Sequence, residues 1–208
     1  MNVSIRPAGT EDLDPIVGLH MRAFRGFFLT TLRHRFLSEL YRGFLQGPDG
    51  CLLVADTDGS IAGYAAGTFV PDRFFRTLLA TRWFVFGRAA VGSAIQHPRS
   101  VLPRLLAALR YTGDAPKRLT AAGLLSAIAV EPTLSGRGIG GMLISAYCEE
   151  AARSGLRFVY LTTDRDGNEA SHLFYQRHGF EAESQIRRQN GRVMVRYVRA
   201  LERPSTVG

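Results

Sequence analysis

The sequence predicts an α/β fold with a mixed, mainly antiparallel sheet. Three observations support this class: strand-like apolar runs alternate with amphipathic stretches, Asp-Gly and Asn-Gly pairs mark two hairpins, and one strand-helix-strand unit lies in the second half of the chain. With 208 residues, of which 46% are hydrophobic and 21% charged, the chain is long enough for a substantial core. We therefore expect a single domain over residues 1–200 and a flexible tail at 201–208.

The N-terminal third alternates strands and helices. Val3 to Arg6 alternates apolar and polar residues and predicts a strand, after which Thr10 offers a cap for a helix whose first turn is acidic. A second stretch, at 32–44, carries apolar residues at helical spacing. Two strands follow at Cys51 to Ala55 and Ile61 to Val70. The Asp-Gly pair between them predicts a hairpin turn.

Residues 71–118 interrupt this order and predict a helical insertion, because apolar helix-forming pieces flank a His-Pro pair. The positive charge is concentrated there: nine basic residues stand against two aspartates between Phe69 and Arg118, in a chain of formal net charge +8. Basic surfaces attract polyanions such as nucleic acid, anionic lipid or phosphorylated small molecules. Without a recognition-helix or zinc motif we expect no nucleic-acid partner. Peripheral contact with an anionic membrane or a lipid-linked substrate stays open.

A strand-helix-strand unit begins the second half. Leu124 to Val130 is a continuous apolar strand, a helix runs from about Gly138 to Ser154, and another strand covers Phe158 to Thr163. Such a unit places its strands parallel, with a right-handed crossover. A short helix and two final strands, at 180–187 and 193–199, complete the chain around an Asn-Gly turn.

The loop inside this unit holds four glycines within six residues, from Gly136 to Gly141. The first N–H groups of a helix lack internal acceptors and carry the positive end of the helix dipole, so this junction favours an anion, phosphate in particular. Arg137 adds a charged donor. The alternative interpretation is that the glycines serve only positive φ angles or close packing.

The type of phosphate ligand follows from the surrounding residues. The missing Lys-Ser/Thr after the glycines argues against a nucleoside triphosphatase loop. The glycines also match the dinucleotide fingerprint G-x-G-x-x-G, with Asp164 at a plausible distance. However, Glu131 to Ser135 separate the strand from the first glycine, whereas a Rossmann turn starts where its strand ends. Too little chain also remains for a second half of a doubly wound sheet.

Two ordered motifs resemble the GNAT superfamily of N-acetyltransferases. The first is the glycine turn with its flanking strand and helix, and the second is Asn168-Glu169-Ala170 followed by the segment Phe174 to Phe180. The resemblance is specific over about 119–199, is architectural over 1–70, and does not cover the insertion at 71–118. It implies helices on both faces of the sheet and a central parallel pair that splays to admit a thioester.

The resemblance also implies a cofactor, acetyl-CoA or another acyl-CoA. Where the family has Gln or Arg at the start of the turn, this chain has Ser135, which leaves Arg137 and the backbone amides to hold the pyrophosphate. Backbone groups of Ile128 and Val130 are implied to pair with the pantetheine arm. The implied cofactor-binding residues are Ile128, Val130, Ser135, Gly136, Arg137, Gly138, Ile139, Gly140, Gly141 and Asn168. For Asn168, a helix N-cap is an equal alternative.

Acyl transfer to an amine needs a neutral nucleophile and a proton for the leaving thiolate. By resemblance Tyr175 donates this proton, and the alternative is an aromatic residue of the core. The strand before the glycine turn lacks the glutamate found in many relatives, so Asp164 is the nearest acidic candidate for the base, with a plain turn residue as its alternative. Each of the five histidines, His20 among them, is a further candidate.

The sequence thus predicts a cytoplasmic N-acyltransferase that moves an acetyl or other short acyl group from acyl-CoA to a primary amine by direct attack. The basic insertion suggests an amino sugar or another anionic small molecule as the acceptor. A protein or peptide acceptor, a non-catalytic acyl-CoA sensor and a homodimer stay open. We expect no metal, because Cys51 and Cys148 lie far apart without ligands at metal spacing. Because the N-terminal residues are acidic, we expect no secretory peptide. Because no apolar run is long enough, we expect no membrane span.

Overall fold

The computed structural model describes residues 2–24, 33–78, 80–81, 114–116, 118–188 and 191–202. The strands are β1 (Ser4–Pro7), β2 (Gly50–Thr57), β3 (Ser60–Thr68), β4 (Ala122–Val130), β5 (Phe158–Asp164), β6 (Glu181–Arg187) and β7 (Val193–Ala200). The α-helices are α1 (Leu13–Ala23), α2 (Arg33–Gln46), α3 (Ile139–Arg153) and α4 (Glu169–Arg177), and short 3-10 helices cover Thr10–Asp12 and Pro132–Leu134. Residues 71–78 are also helical.

The seven strands form one sheet in the order β1-β2-β3-β4-β5-β7-β6. β4 and β5 run parallel, and the other neighbouring pairs are antiparallel. This arrangement confirms the predicted mixed, mainly antiparallel sheet with a central parallel pair. The β2–β3 hairpin turns at Asp58 and Gly59, both with positive φ, as the Asp-Gly pair predicts.

Helices cover both faces of the sheet, also as predicted. Alternate residues of β2 supply the two cores: Leu52 and Val54 join the cluster under α1 and α2, whereas Leu53 and Ala55 join the cluster under α3. This period of two is the consequence of successive strand side chains pointing to opposite faces. Each fully buried large aliphatic side chain contributes about 1.5–3 kcal/mol to folding.

Helix α3 is fixed to β4 by both packing and a hydrogen bond. Leu143, Tyr147 and Ala151 recur every four residues and are fully buried, so they form one continuous apolar face. The Tyr147 hydroxyl donates to the Leu124 carbonyl at 2.7 Å. Gly67 clears the space for this bond, because a Cβ there would lie 2.1 Å from the Tyr147 oxygen. The helix that follows the glycine turn is therefore held against the middle of the sheet.

The start of the first helix differs from the prediction. Thr10 does not cap it; Thr10–Asp12 forms a 3-10 turn, and Asp12 is the N-cap of α1. The Asp12 carboxylate accepts the Gly9 N–H at 2.7 Å and two N–H groups of Arg6 at 2.7 and 3.0 Å. Arg6 on β1 and the Gly9 N–H therefore hold the Asp12 side chain at the start of α1. Its guanidinium also lowers the pKa of Asp12.

Only the borders of the predicted insertion lie within the described residues. The first helical piece, expected around Phe74 to Phe86, is observed as helix at 71–78 and 80–81, and residues 79 and 82–86 lie outside the described residues. The second piece, expected around Val101 to Tyr111, lies wholly outside them. At the C-terminal border Asp114 forms an ion pair with Arg188, and its carbonyl accepts a hydrogen bond from Arg196 at 2.6 Å. The end of the insertion is therefore tied to the β6–β7 hairpin. In the part of the chain that is described, no helix is both long and apolar enough to cross a membrane.

Candidate functional site

The parallel strands β4 and β5 pair at one end and separate at the other. Their register joins Ala122–Leu124 to Phe158–Tyr160 and stops there. Further along, β4 continues beside β3 as far as Val130, and β5 continues beside β7 as far as Asp164. The sheet therefore opens a gap between the C-terminal halves of its two central strands, which is the predicted splay.

The gap exposes backbone groups of β4. The Glu131 N–H donates to the Ala62 carbonyl on β3 at 2.8 Å. Because backbone groups of successive residues point to alternate sides of a strand, those of Ile128 and Val130 face away from β3 and into the gap. These are the two residues whose backbone groups are predicted to pair with the pantetheine arm of the cofactor.

The glycine turn closes one end of the gap. Gly136 and Gly138 have φ angles of +77° and +79°, and a Cβ at either position would meet nothing within 4 Å. Gly138 is the N-cap of α3, and its carbonyl accepts the N–H of Met142. The N–H groups of the first three helical residues, 139–141, thus have no acceptor within the helix and carry the positive end of its dipole. The turn offers both open space and unpaired donors to an anion.

Gly140 and Gly141 serve a different purpose. A Cβ on Gly140 would lie 3.0 Å from the Phe174 ring, and one on Gly141 would lie 2.6 Å from Nε2 of His178. The His178 ring is held in place, since its Nδ1–H donates to the Phe174 carbonyl at 2.7 Å. The alternative interpretation of the glycines, close packing, therefore holds for this second pair, which lets α4 pack against the start of α3.

A cleft of about 710 Å³ lies between the end of β4, the glycine turn and α4. Eight of the ten residues expected to bind a cofactor line it, together with Tyr175: Ile128, Val130, Ser135, Gly136, Gly138, Ile139, Gly140 and Gly141. Arg137 is exposed and lies outside this lining, although both of its neighbours contribute to it. The roles of these residues stay predictions, but the structure brings most of them to one cleft.

A second pocket, of about 440 Å³, lies on the side of the sheet that carries α1 and α2. It shares Ile128, Ser171 and Tyr175 with the cleft. The two cavities therefore meet at the gap between β4 and β5. Ala23, the last residue of α1, and Phe24 after it line this pocket, and the aromatic residues at 27 and 28 lie outside the described part of the chain.

Tyr175 stands at this junction. Its ring packs against Phe174, Phe180 and Tyr197 at centroid distances of 5.4–6.0 Å. Burial raises the pKa of its hydroxyl to about 12, so the group keeps its proton at neutral pH. Among the described residues the hydroxyl has no hydrogen-bond partner. Both alternatives, a proton donor and an aromatic residue of the core, are therefore compatible with Tyr175. Its ring is packed, while its hydroxyl remains available as a donor.

Asp164 and Asn168 lie in the second pocket and not in the cleft. The Asp164 carboxylate accepts hydrogen bonds from Nε and Nη2 of Arg192 at 3.0 and 2.7 Å. To take a proton from an amine, it must first lose part of this ion pair. Asn168 occupies the N-cap position of α4, but its oxygen accepts the Ser171 hydroxyl at 2.6 Å instead of a backbone N–H. Its amide donates to the hydroxyl of Thr163 on β5. Asn168 therefore links α4 to β5 on the side away from the glycine turn.

A buried polar cluster in the wall of the second pocket was missed by motif analysis. Nδ1 of His20 lies 2.6 Å from the Tyr41 hydroxyl and 3.0 Å from the Tyr64 hydroxyl, and the two hydroxyls are 2.6 Å apart. Burial lowers the pKa of His20 to about 4, so the ring is neutral at physiological pH. His20 and Tyr41 line the pocket. The three residues come from α1, α2 and β3, so no spacing within one segment of the sequence predicts their contact.

Within the described residues, no group of three or more His, Cys, Asp or Glu side chains is placed to hold a metal ion. The groups at this site that suit acid, base or anion chemistry are the protonated hydroxyl of Tyr175, the ion-paired Asp164, the neutral His20 and the backbone N–H groups of the glycine turn.

Comparison with known proteins agrees with this geometry. Residues 105–180 match the model of the acetyltransferase (GNAT) family. A putative GNAT acetyltransferase from Desulfovibrio desulfuricans superposes with a TM-score of 0.64 at 16% identity, over 97% of this chain and 100% of its own. The ribosomal-protein-S18-alanine N-acetyltransferase from Escherichia coli superposes with a TM-score of 0.61 at 15% identity, over 100% and 99%.

A third structure was solved with coenzyme A. It is the PaiA N-acetyltransferase from Thermoplasma acidophilum, with a TM-score of 0.54 at 12% identity, over 94% of this chain and 98% of its own. Among curated proteins, no sequence matches this chain significantly. At these identities the solved structures establish the fold alone. Together with the family match over the glycine turn and α4, they confirm the resemblance drawn from the two motifs: this chain has the fold and the signature segment of the GNAT acetyltransferases.

Proposed function

We propose that the protein transfers an acetyl or other short acyl group from acyl-CoA to a primary amine by direct attack. The observation that carries this proposal is the meeting of two cavities at Tyr175, through the gap between β4 and β5. A cleft that suits a phosphorylated, extended cofactor and a separate pocket for a second molecule are what a transfer between two substrates requires.

The backbone donors of the cleft support coenzyme A as its ligand. The amides of Ile139, Gly140 and Gly141 have no acceptors within α3, and the positions of Gly136 and Gly138 leave the backbone accessible, which suits a pyrophosphate. Backbone groups of Ile128 and Val130 face the gap and suit an amide-containing arm. When bound, an acyl-CoA supplies the activated thioester carbonyl. Acetyl-CoA is the proposed donor.

Tyr175 is the proposed hydrogen-bond donor to the leaving sulfur. Its hydroxyl is protonated at neutral pH, and the residue lines both cavities, so the hydroxyl is the proposed hydrogen-bond donor to a developing thiolate. Loss of the amine proton requires a route on the other side of the gap. There the second pocket is lined by Ser126, Thr162 and Thr163, which can order water. Asp164 can act as the base only when its ion pair with Arg192 is broken.

The second pocket is proposed to hold the acceptor. Its volume of about 440 Å³ lies in the range of small-molecule sites. Its described charged residues are Asp164 and Arg192, which pair with each other, so this part of the pocket has no formal charge with which to select an anion. The idea of an anionic acceptor, such as an amino sugar with a phosphate, therefore depends on the basic insertion alone. The Escherichia coli neighbour is named for a protein acceptor, so a peptide amine is retained as the second candidate.

The direct test is release of the coenzyme A thiol from acetyl-CoA across a panel of amines, with the acylated product identified by mass. The panel contains small primary amines, phosphorylated amino sugars and peptides with free N-termini. Amine-dependent release with an N-acetyl product supports the proposal, and the best amine identifies the acceptor class. Tight binding of acetyl-CoA without release on any amine would favour the acyl-CoA sensor instead.

We also propose a cytoplasmic location. Cys51 and Cys148 are both buried and unpaired, and burial raises the pKa of each thiol, to about 12 and about 11. Unpaired cysteines are typical of a reducing compartment. Measurement of free thiols in protein isolated under acidic quench, from the natural host, tests this assignment.

A further inference from the structure

His20 carries a buried atom whose hydrogen bond is missing. The side chain is 4% exposed, and its Nδ1 is engaged by the hydroxyls of Tyr41 and Tyr64. Nε2 has no partner, and among the described residues it is the one buried side-chain nitrogen or oxygen for which this is true. Native structures leave few such groups, because an unsatisfied buried polar atom destabilises a protein. Because His20 lines the second pocket, a ligand bound there is a candidate to complete this hydrogen bond.

Either tautomer of His20 leaves Nε2 open. If Nδ1 accepts a hydroxyl proton from Tyr41, Nε2 bears a hydrogen and needs an acceptor. If Nδ1 carries the hydrogen, Nε2 presents a lone pair and needs a donor. A hydroxyl group both donates and accepts, so it satisfies Nε2 in both cases. A carboxylate or an ammonium group satisfies only one of them, and burial of either charge without a counter-ion costs more than burial of a hydroxyl.

The position of His20 in the pocket defines which part of a ligand it meets. Tyr175, Ser171 and Thr163 line the end of the pocket where the gap opens, and the reacting nitrogen must lie there. His20 lies on α1 among apolar and aromatic residues, with the ring centroid of Phe24 4.7 Å from its own. Leu40 and Phe44 on α2 line the same pocket. The pocket thus has polar residues at the gap, apolar and aromatic residues from α1 and α2, and, on the lining residue His20, one nitrogen without a hydrogen-bond partner.

We propose that the acceptor is a primary amine with a hydroxyl group at the end remote from its nitrogen, and that Nε2 of His20 hydrogen-bonds this hydroxyl. The inference rests on the proposed function, because it assigns the pocket to the acceptor. An apolar segment of the ligand, aromatic or aliphatic, lies against Phe24, Leu40 and Phe44 between the two polar ends. His20 acts here as a residue of specificity and takes no part in the proton transfer.

Matched pairs of amines that differ in a single hydroxyl test the inference. The pairs are tyramine with phenethylamine, and 5-aminopentanol with pentylamine. We expect kcat/KM with acetyl-CoA to be higher for the hydroxylated member of at least one pair, by about 5-fold to 100-fold, because its partner leaves Nε2 unsatisfied. Equal kcat/KM values within both pairs, with turnover of all four amines, would overturn the inference and leave the proposed function intact.

Two substitutions separate a specific role from a structural one. His20→Phe keeps an aromatic ring and leaves the Tyr41 and Tyr64 hydroxyls bonded to each other, and it should reduce the preference to about 1. Tyr64→Phe is the matched control. Tyr64 belongs to the same cluster but does not line the pocket, and Tyr41 can still hold Nδ1. This variant should keep the preference, and its loss in both variants would contradict a direct role for His20. Thermal unfolding verifies that both variants fold.

A binding measurement makes the outcome independent of catalysis. In protein labelled with ¹⁵N-histidine and saturated with coenzyme A, the Nε2 resonance of His20 should shift on addition of the hydroxylated amine and not on addition of its matched partner. His20→Phe identifies the resonance by its disappearance. A shift without turnover of any amine would support the ligand class and contradict acyl transfer. No shift with any of the four amines, together with no preference in turnover, would overturn the inference.

Discussion

Gly141 of α3 and His178 at the end of α4 are in direct contact, and this contact joins the two segments by which the sequence resembles its family. A Cβ on Gly141 would lie 2.6 Å from Nε2 of the His178 ring. The ring cannot easily yield, because Nδ1 is bonded to the Phe174 carbonyl and the ring lies 4.6 Å from that of Phe174. The glycine turn and the aromatic helix therefore form one unit around the cleft.

Gly141→Ala should destabilise the protein in the wild-type background, by about 1–3 kcal/mol, because the methyl group overpacks the contact with His178. In the His178→Ala background the same change should be neutral or stabilising, since alanine is favoured over glycine in a helix by roughly 1 kcal/mol. Urea unfolding of the two single variants and the double variant measures this coupling. If Gly141→Ala lowers the free energy of unfolding equally in both backgrounds, the contact with His178 is not the reason that position 141 requires glycine.

Gly138→Ala should weaken coenzyme A more than it weakens the fold. The position has φ of +79°, so alanine costs about 1–2 kcal/mol of stability, and its methyl group would enter the open space beside the unpaired amides. We expect the Kd for coenzyme A to rise about tenfold or more, which corresponds to about 1.4 kcal/mol. Isothermal titration calorimetry measures it.

Gly155→Ala is the matched control for this experiment. Gly155 follows the other end of α3, has φ of +82°, and has equally open surroundings. The substitution should cost similar stability and leave the Kd unchanged. If both variants lower the affinity for coenzyme A alike, the effect comes from a loosened α3, and the anion site at its N-terminus is not supported.

Tyr175→Phe should lower kcat by about a hundredfold, because the leaving sulfur loses its hydrogen-bond donor. The ring contacts with Phe180 and Tyr197 persist in this variant, so the melting temperature and the KM for acetyl-CoA should change little. In the wild type, burial raises the pKa of this hydroxyl to about 12, so its ionisation should not lower the rate between pH 7 and 10. A fall in kcat/KM near pH 10 that disappears in Tyr175→Phe would contradict this.

His20 should make the stability depend on pH between about 6.5 and 4. Burial lowers its pKa from 6.5 to about 4, so the unfolded chain binds the proton more readily than the folded protein does. The free energy of unfolding is then complete above pH 6.5 and falls as the pH is lowered towards 4, by on the order of 3 kcal/mol. His20→Phe should flatten this part of the profile, as measured by urea unfolding at each pH. Parallel profiles for the two proteins would exclude His20 as the source.

Local sequence patterns predicted the elements that depend on neighbouring residues. The Asp58-Gly59 turn follows from the conformational needs of two residues, and the parallel arrangement of β4 and β5 follows from the crossover helix between two consecutive strands. The cleft around Gly136 to Gly141 follows from a short motif. In each case the information lies within one segment of the chain.

Side-chain contacts that depend on the three-dimensional fold escaped this kind of reasoning. Thr10 looked like a helix cap, and the sequence does not show that Arg6 binds the carboxylate of Asp12. The pairing of Asp164 with Arg192 joins the end of β5 to the residue before β7, across 28 residues of sequence. Likewise, the unsatisfied Nε2 of His20 becomes visible only when Tyr41 and Tyr64 occupy the other nitrogen. Charge and polarity at a site depend on such partners, and a single sequence does not display them.

The most direct test of the central claim is a crystal structure of the protein with coenzyme A and an amine accepted in the turnover assay. The pyrophosphate should lie on the amides of Ile139 to Gly141, and the pantetheine arm should run beside Ile128 and Val130. The sulfur should reach the Tyr175 hydroxyl from the cleft, with the amine opposite it in the second pocket. Coenzyme A bound elsewhere, or a sulfur that does not enter the gap between β4 and β5, would contradict the proposed site.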